Sequence, residues 1–318
     1  DISSRPTGTP NTFKTIIHIT NSDVTASSFS SAAIGSGSYS TNATEIHING
    51  GKIEASNYSG SGIGSGLSAK GNTDIYIAGS DVTAKAKQGT GIGSGTYSSG
   101  ETTIDISGGT VKATGGGNDY EGSAGIGAGR SSTGYTDITL RGGVTVEATG
   151  GGNSSAGGGG GAGIGSGQSA NGKTDILIKG AKEVTATGGS SAAGIGSGSD
   201  VGYGSASCTT ITICNSDDGT VVPIIKAMGG GVVDPYCSSS GAGIGSGGST
   251  YNKTIINIKG GEITATGGTS YTPGNSGSRR SGAGIGSGSS VSGETEINIS
   301  DGTIKSATGG EYGGAGIG

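Results

Sequence analysis

Acidic residues recur in one local pattern. Asp74, Asp137 and Asp175 each sit in T-D-I, and Glu45 sits in T-E-I. Paired carboxylates are the raw material of acid–base catalysis and of hard-cation binding. If the pattern marks a ladder of strands, Glu45 stacks on Asp74 and Asp137 on Asp175. Like charges then lie about 4.8 Å apart and repel. A weakly held Ca²⁺ is one relief, and solvation with neighbouring lysines is the commoner one. His18, His47 and Tyr76 fall into a second column beside them. Two imidazoles and a phenol are an incomplete ligand set for a soft metal. The arginines are Arg5, Arg130, Arg141, Arg279 and Arg280, and none is expected in register with the acidic pairs. No acid–base set is assembled, so no catalytic residue, metal or cofactor is assigned.

Cysteine chemistry is confined to one irregular stretch. Cys208, Cys214 and Cys237 all lie within 202–247. Cys208 and Cys214 are on one strand and too far apart along it to bridge each other. A disulfide from either to Cys237 would staple an inserted loop in an oxidising compartment and leave one odd thiol; three reduced cysteines are the alternative. Glycosylation sequons occur at Asn42, Asn57, Asn153, Asn252 and Asn298. Of these, Asn57, Asn153 and Asn252 fall in expected loops or corners, where a glycan has room. Eighteen basic against 23 acidic residues give a net charge of −5, which is no nucleic-acid footprint. No apolar run approaches the ~18 residues of a membrane helix.

The elements that position these residues are repeats. With 75 glycines in 318 residues and only 29% hydrophobic residues, an ordinary globular core is excluded. Disorder is excluded by regular spacing: Ile34, Ile63, Ile92, Ile126, Ile164, Ile195, Ile244, Ile285 and Ile317 recur 29 to 49 residues apart, each inside a motif such as GAGIGSG. From one motif isoleucine to an isoleucine of the next unit is 12 residues in seven of eight steps. Each unit carries alternating runs such as TIINI, EITAT and AGIGS, punctuated by Gly-Gly and Ser/Asn/Gly clusters. Period two is the strand signature, and nothing reads as a helix.

These runs predict an all-β parallel β-solenoid of three strands per coil and about nine coils, roughly 40 Å long. A right-handed sense follows from the crossover preference. The expected repeats are 12–40, 41–69, 70–99, 100–133, 134–170, 171–201, 202–250, 251–291 and 292–318, after a connector at 1–11. Variable stretches of 8 to 20 residues precede the motif isoleucine, so all large loops are expected along one edge.

Parity puts Ile46, Ile48, Ile53 and their counterparts inside, about four branched aliphatics per coil. It also puts a threonine row inside: Thr15, Thr44, Thr73, Thr102, Thr136, Thr174, Thr209, Thr254 and Thr295. Their hydroxyls are expected to bond along a structural ladder, as are those of Ser36, Ser65, Ser94, Ser166, Ser197, Ser246 and Ser287, with Ala128 the exception. In A-G-I-G-S-G, the same parity turns glycine outward. Gly35, Gly64, Gly93, Gly127, Gly165, Gly196, Gly245 and Gly286 would then form a bare face for close approach of another sheet. At these residues the chain resembles silk fibroin, whose GAGAGS segments put glycine on one sheet face. The whole unit resembles the pectin-lyase-like right-handed β-helix and glycine-rich surface repeats of that class.

Three functions are expected from this reading. The first is an extracellular structural protein, secreted or at the cell surface, that self-associates into filaments or a layer through open coil ends and the glycine face. The second is a cell-surface adhesin whose loop edge holds glycan or protein, with Tyr120, Tyr236, Tyr271, Arg279 and Arg280 as contacts. The third, a polysaccharide lyase or hydrolase, is what the fold resemblance implies.

Overall fold

The computed structural model describes residues 13–117, 121–152, 159–202, 207–232, 239–272 and 275–318. The 1–11 connector lies outside them. Among the described residues there is no helix. Nine first strands follow one another in parallel, from Lys14–Thr20 through Thr136–Arg141 to the start of Thr295–Thr308. Second strands, from Val24–Ser28 through Thr145–Thr149, form a parallel column of their own. Both columns join one 16-stranded sheet through Lys253–Thr266, which runs from first strand to second without a break. Two-residue Ile–Gly bridges make a separate eight-stranded sheet. This is the parallel β-solenoid the spacing predicts, and its topology is consistent with the right-handed sense.

Register follows the repeat letter for letter. Ile17, Ile46, Ile75 and Ile104 stand on one another, as do Val82, Val111 and Val146 on the second strands. The inner isoleucines are essentially free of solvent contact from Ile46 to Ile285. Burying each contributes roughly 1.5–3 kcal/mol, and continuous β-branched rows suit strands covered on both sides. On the first and last described coils, Ile17, Ile19, Ile297 and Ile304 are only partly buried.

The third run differs from its expected form. A-G-I-G-S is not an extended strand with glycine outside. In seven of the eight motifs the N–H of the first residue donates to the carbonyl of the fifth, for example Ala162 to Ser166 at 2.9 Å and Ala242 to Ser246 at 2.9 Å, and in the other the Thr90 hydroxyl donates to the Ser94 carbonyl. The chain doubles back within five residues, and only Ile and the following Gly are in strand register with the next coil. That glycine adopts a φ of +132° to +142° at Gly35, Gly64, Gly93, Gly127, Gly165, Gly196, Gly245 and Gly286. Seven of the eight are buried, and Gly35 is half-buried in the first coil. A Cβ on any of them would lie 1.8–2.0 Å from the carbonyl oxygen of the equivalent glycine one coil on. Glycine is thus required by the neighbouring coil of the same stack. The bare outer face expected from parity does not exist.

Candidate functional site

Chemistry-bearing side chains gather in two places: the outer face of the first strands and the loop edge. On the strand face, Asp137 and Asp175 are register partners, as are Glu45 and Asp74. The repulsion is answered by cations and hydroxyls. Glu45 is bonded by Lys14 and by His47, at 2.5 Å for the latter, and both hold its carboxyl below the usual range. Lys173 reaches Asp175 at 2.7 Å, and the Tyr135 hydroxyl donates to the same carboxylate at 2.8 Å. Burial pushes Asp175 up, but hydrogen bonds from Lys173, Tyr135 and Thr210 outweigh it and hold it below the usual value. Asp137 has no ion pair among the described residues; burial first, then the charge of Asp175, raise its pKa.

An arginine does reach this face, away from the acidic pairs. Arg141 grips Asp105 with Nε at 2.8 Å and Nη2 at 2.9 Å. The pair is diagonal between neighbouring coils, so scanning single rows misses it. His18, His47 and Tyr76 form the expected column, with centroids 4.9 Å apart and interplanar angles of 24° and 18°. The rings cover one another's faces and turn their edges outward, so they offer no flat platform. Among the described residues, no group of three His, Cys, Asp or Glu side chains converges on a metal-sized point.

Inner polar rows are engaged in holding coils together. Ser36, Ser65, Ser94, Ser166, Ser197 and Ser246 each accept an N–H from a glycine one coil on, at 2.8–3.3 Å. Ser287 instead donates to Thr295 at 3.0 Å. The threonines stack in register at Thr44, Thr73, Thr102, Thr136, Thr174, Thr209, Thr254 and Thr295. Bonds from one threonine hydroxyl to the next are absent among the described residues. The hydroxyls of Thr44, Thr73 and Thr254 are buried with no partner, and that of Thr209 accepts from Asn252 at 2.9 Å. Register spacing suits backbone bonds, and it leaves the short hydroxyls out of mutual reach.

At the loop edge, Thr269–Thr272 and Asn275–Ser281 form an antiparallel hairpin that pairs Tyr271 with Arg279 and Ser270 with Arg280. Its footing is a buried serine network. Ser240 Oγ donates to Ser270 Oγ at 2.8 Å and to the Arg280 carbonyl at 2.9 Å, and Ser270 Oγ donates to the Ser239 carbonyl at 2.6 Å. The next coil closes over it: Glu311 N–H donates to Thr269 Oγ1 at 2.9 Å and Tyr312 N–H to Ser281 Oγ at 3.0 Å. Tyr312 carries the Arg279 guanidinium over its ring at 4.3 Å, with Tyr271 edge-on at 6.5 Å and 67°. Tyr271, Arg279, Arg280 and Tyr312 are all exposed. Sequence reasoning selected the first three and missed Tyr312 and the serines. Tyr120 and Tyr236 lie outside the described residues.

Residues 17–38, 46–67, 104–130, 176–199, 256–289 and 297–318 match a family model described as a beta helix repeat. Each match begins on the same isoleucine row and runs to the glycine motif, one coil per match. The protein is a parallel β-helix. No curated protein and no solved structure matches the chain. Beta-helix repeats occur in pectate-lyase-like enzymes and in non-enzymes, so the match leaves activity to the side chains.

One further expectation changes once the described coils are seen together, and one falls partly outside them. Asn57 and Asn252 are buried rather than loop-exposed. Asn57 Nδ2 donates to the Ser31 carbonyl and Asn252 Nδ2 to Thr209, so neither amide is open to a glycan in the folded chain. Asn153 lies outside the described residues. Cys208 and Cys214 stand at opposite ends of one strand and do not bridge each other, and neither thiol has a disulfide partner among the described residues. Cys237 lies outside the described residues.

Proposed function

We propose that this β-helix is an extracellular surface protein that binds a ligand along its loop edge and performs no catalysis. One observation carries the reading: Tyr271, Arg279 and Tyr312, from two coils, stand together and exposed on a buried serine footing, with Arg280 exposed beside Ser290. Aromatic and arginine side chains are the groups that dominate recognition surfaces. The inner serine rows support the same reading indirectly, because their hydroxyls are already bonded to backbone amides. A glycan array tests it. Saturable binding by the native protein, lost in a Tyr271→Ala/Arg279→Ala double variant of unchanged melting temperature, is the expected result. An array without saturable binding removes the reading.

Self-association is a second reading, now without the glycine face. What favours it is apolar surface in mid-stack, where Val222, Ile224 and Met228 are exposed on or just before one second strand. The matching face of a second copy would cover it. Sedimentation over a concentration series decides: a monomer throughout removes self-association.

A further inference from the structure

We infer that two copies of this chain pair face to face through their second strands, with coil order antiparallel, on a two-fold axis that runs along Ile224–Met228. This rests on the self-association reading and names the face and the symmetry within it.

One coil breaks the rule its neighbours keep. Ile224 and Met228 stand outward at the two ends of their strand, 42% and 50% exposed, and Val222 extends the patch at 44%. In the other coils, the residues in register with them are polar or charged, from Lys52 and Ser56 to Thr303 and Thr308. Apolar side chains set into polar columns and left in water mark a contact surface.

The residues around the patch indicate what covers it. Across the coils, one column runs Thr145, Glu183, Ile224, Glu262, Thr303. The other runs Thr149, Thr187, Met228, Thr266, Thr308. Between them, Lys226 is flanked by Thr185 and Thr264. Each row reads the same in both directions from the central strand. A two-fold axis along that strand reverses coil order, so it sets each of these residues against its own kind. Ile224 and Met228 meet their own copies, while Thr185 and Thr187 meet Thr264 and Thr266 of the second copy. The exception is acidic, Glu183 against Glu262, and it is answered beforehand. Lys226 holds Glu183 at 2.6 Å, and Lys305 holds Glu262 at 3.4 Å. A strongly charged partner would find these carboxylates already paired, whereas a second copy needs no free charge.

The rows overlap over five coils, about 24 Å by 16 Å at ordinary strand spacing, or ~400 Å² per copy. That is about half of the standard ~800 Å² per partner, so association in the micromolar range or weaker is expected. Sedimentation equilibrium of the full chain from about 10 μM to 1 mM covers that range. Ile224→Thr/Met228→Thr writes in the threonine that both columns carry elsewhere. It is expected to weaken the dimer at least about tenfold and to leave the melting temperature of the dilute chain unchanged. Affinity is expected to hold as salt rises, because apolar contacts carry it. A short bis-maleimide reads the symmetry. On Met228→Cys it is expected to link position 228 to position 228 between copies, as seen by peptide mass. On Thr308→Cys it is expected to give no 308–308 link, because that position faces Thr149 of the second copy. A monomer throughout removes self-association and this inference with it. A dimer that survives the double variant, dissociates with salt, or lacks the 228–228 link overturns the inference and leaves self-association to another face.

Discussion

The motif corner and the loop edge are written in the same small alphabet of glycine, serine and alanine, yet they do opposite work. At the corner, Gly165 is pressed against the Gly196 carbonyl and Ser166 accepts the Gly198 N–H, so each residue is committed to the coil beside it. At the edge, Ser239, Ser240 and Ser270 are as deeply engaged, but what they support is a hairpin whose large side chains face water. Composition does not separate the two. Position in the stack does: the corner recurs from coil to coil with a neighbour above and below, while the hairpin comes from one inserted stretch and recurs in no other coil among the described residues. A substitution at the corner should therefore register as lost stability, and one at the edge as lost binding.

The sharpest way to break that contrast is Gly165→Ala. Its Cβ would lie 1.8 Å from Gly196 O at a φ of +135°, so clash and backbone strain act together. We expect a loss above about 4 kcal/mol, read by denaturant unfolding. Gly37→Ala is the control inside the same motif. It belongs to the first coil, and a Cβ there meets nothing within 4 Å. Its effect should stay within about ±0.5 kcal/mol. Equal losses at both positions would mean that glycine is needed by the motif itself and not by the adjoining coil.

A smaller effect, of opposite sign, is expected one row away. The Thr73 hydroxyl is buried with no partner, whereas that of Thr209 accepts from Asn252. Thr73→Val keeps the branched shape and removes an unsatisfied group, so it should stabilise by about 1 kcal/mol. Thr209→Val strands the Asn252 amide and should destabilise by about 1–3 kcal/mol. Denaturant midpoints for the two single variants check the signs. If both stabilise, the threonine row is indifferent to hydroxyl partners.

These contrasts also mark what the sequence could reveal. The 12-residue step from motif isoleucine to next-coil isoleucine is a covalent ruler, and it placed the strands, the inner rows and the register. Backbone dihedrals are not written in letters. A-G-I-G-S alternates like a strand, and only the +135° φ at Gly165 shows that it is a bend. Corners of a solenoid stack as regularly as its strands do, which is why Asn57 and Asn252 are buried where a loop was expected. Contacts that cross rows were equally hidden. Arg141 meets Asp105 across 36 positions of chain, and Tyr312 reaches Arg279 from the following coil.

The first-strand face stands between the two extremes, half-buried and partly paired, and it yields the smallest predicted effect. Asp175 has Lys173 and Tyr135; its register partner Asp137 has burial and a like charge. Asp137 therefore has a folded-state pKa raised above its unfolded value, and the native state holds that proton more tightly than the unfolded chain does. The stability it contributes is fully present below the unfolded value near ~4, and is lost as pH rises through the folded one. At neutral pH the ionised side chain opposes folding, so Asp137→Asn should raise the melting temperature at pH 7. The gain should shrink on acidification and vanish below about pH 4, where the wild-type carboxyl is protonated as well. Asp175 is shifted the other way by its hydrogen bonds, so Asp175→Asn should lower the melting temperature at pH 7. Its lost contribution is present above the unfolded value and fades as pH falls through the lowered one. Melting curves of both variants from about pH 3 to pH 7, the window of ordinary aspartate titration, separate the two carboxylates. Two variants that shift together at every pH would mean that the pair titrates as one group, and that the Tyr135 and Lys173 contacts do not distinguish its members.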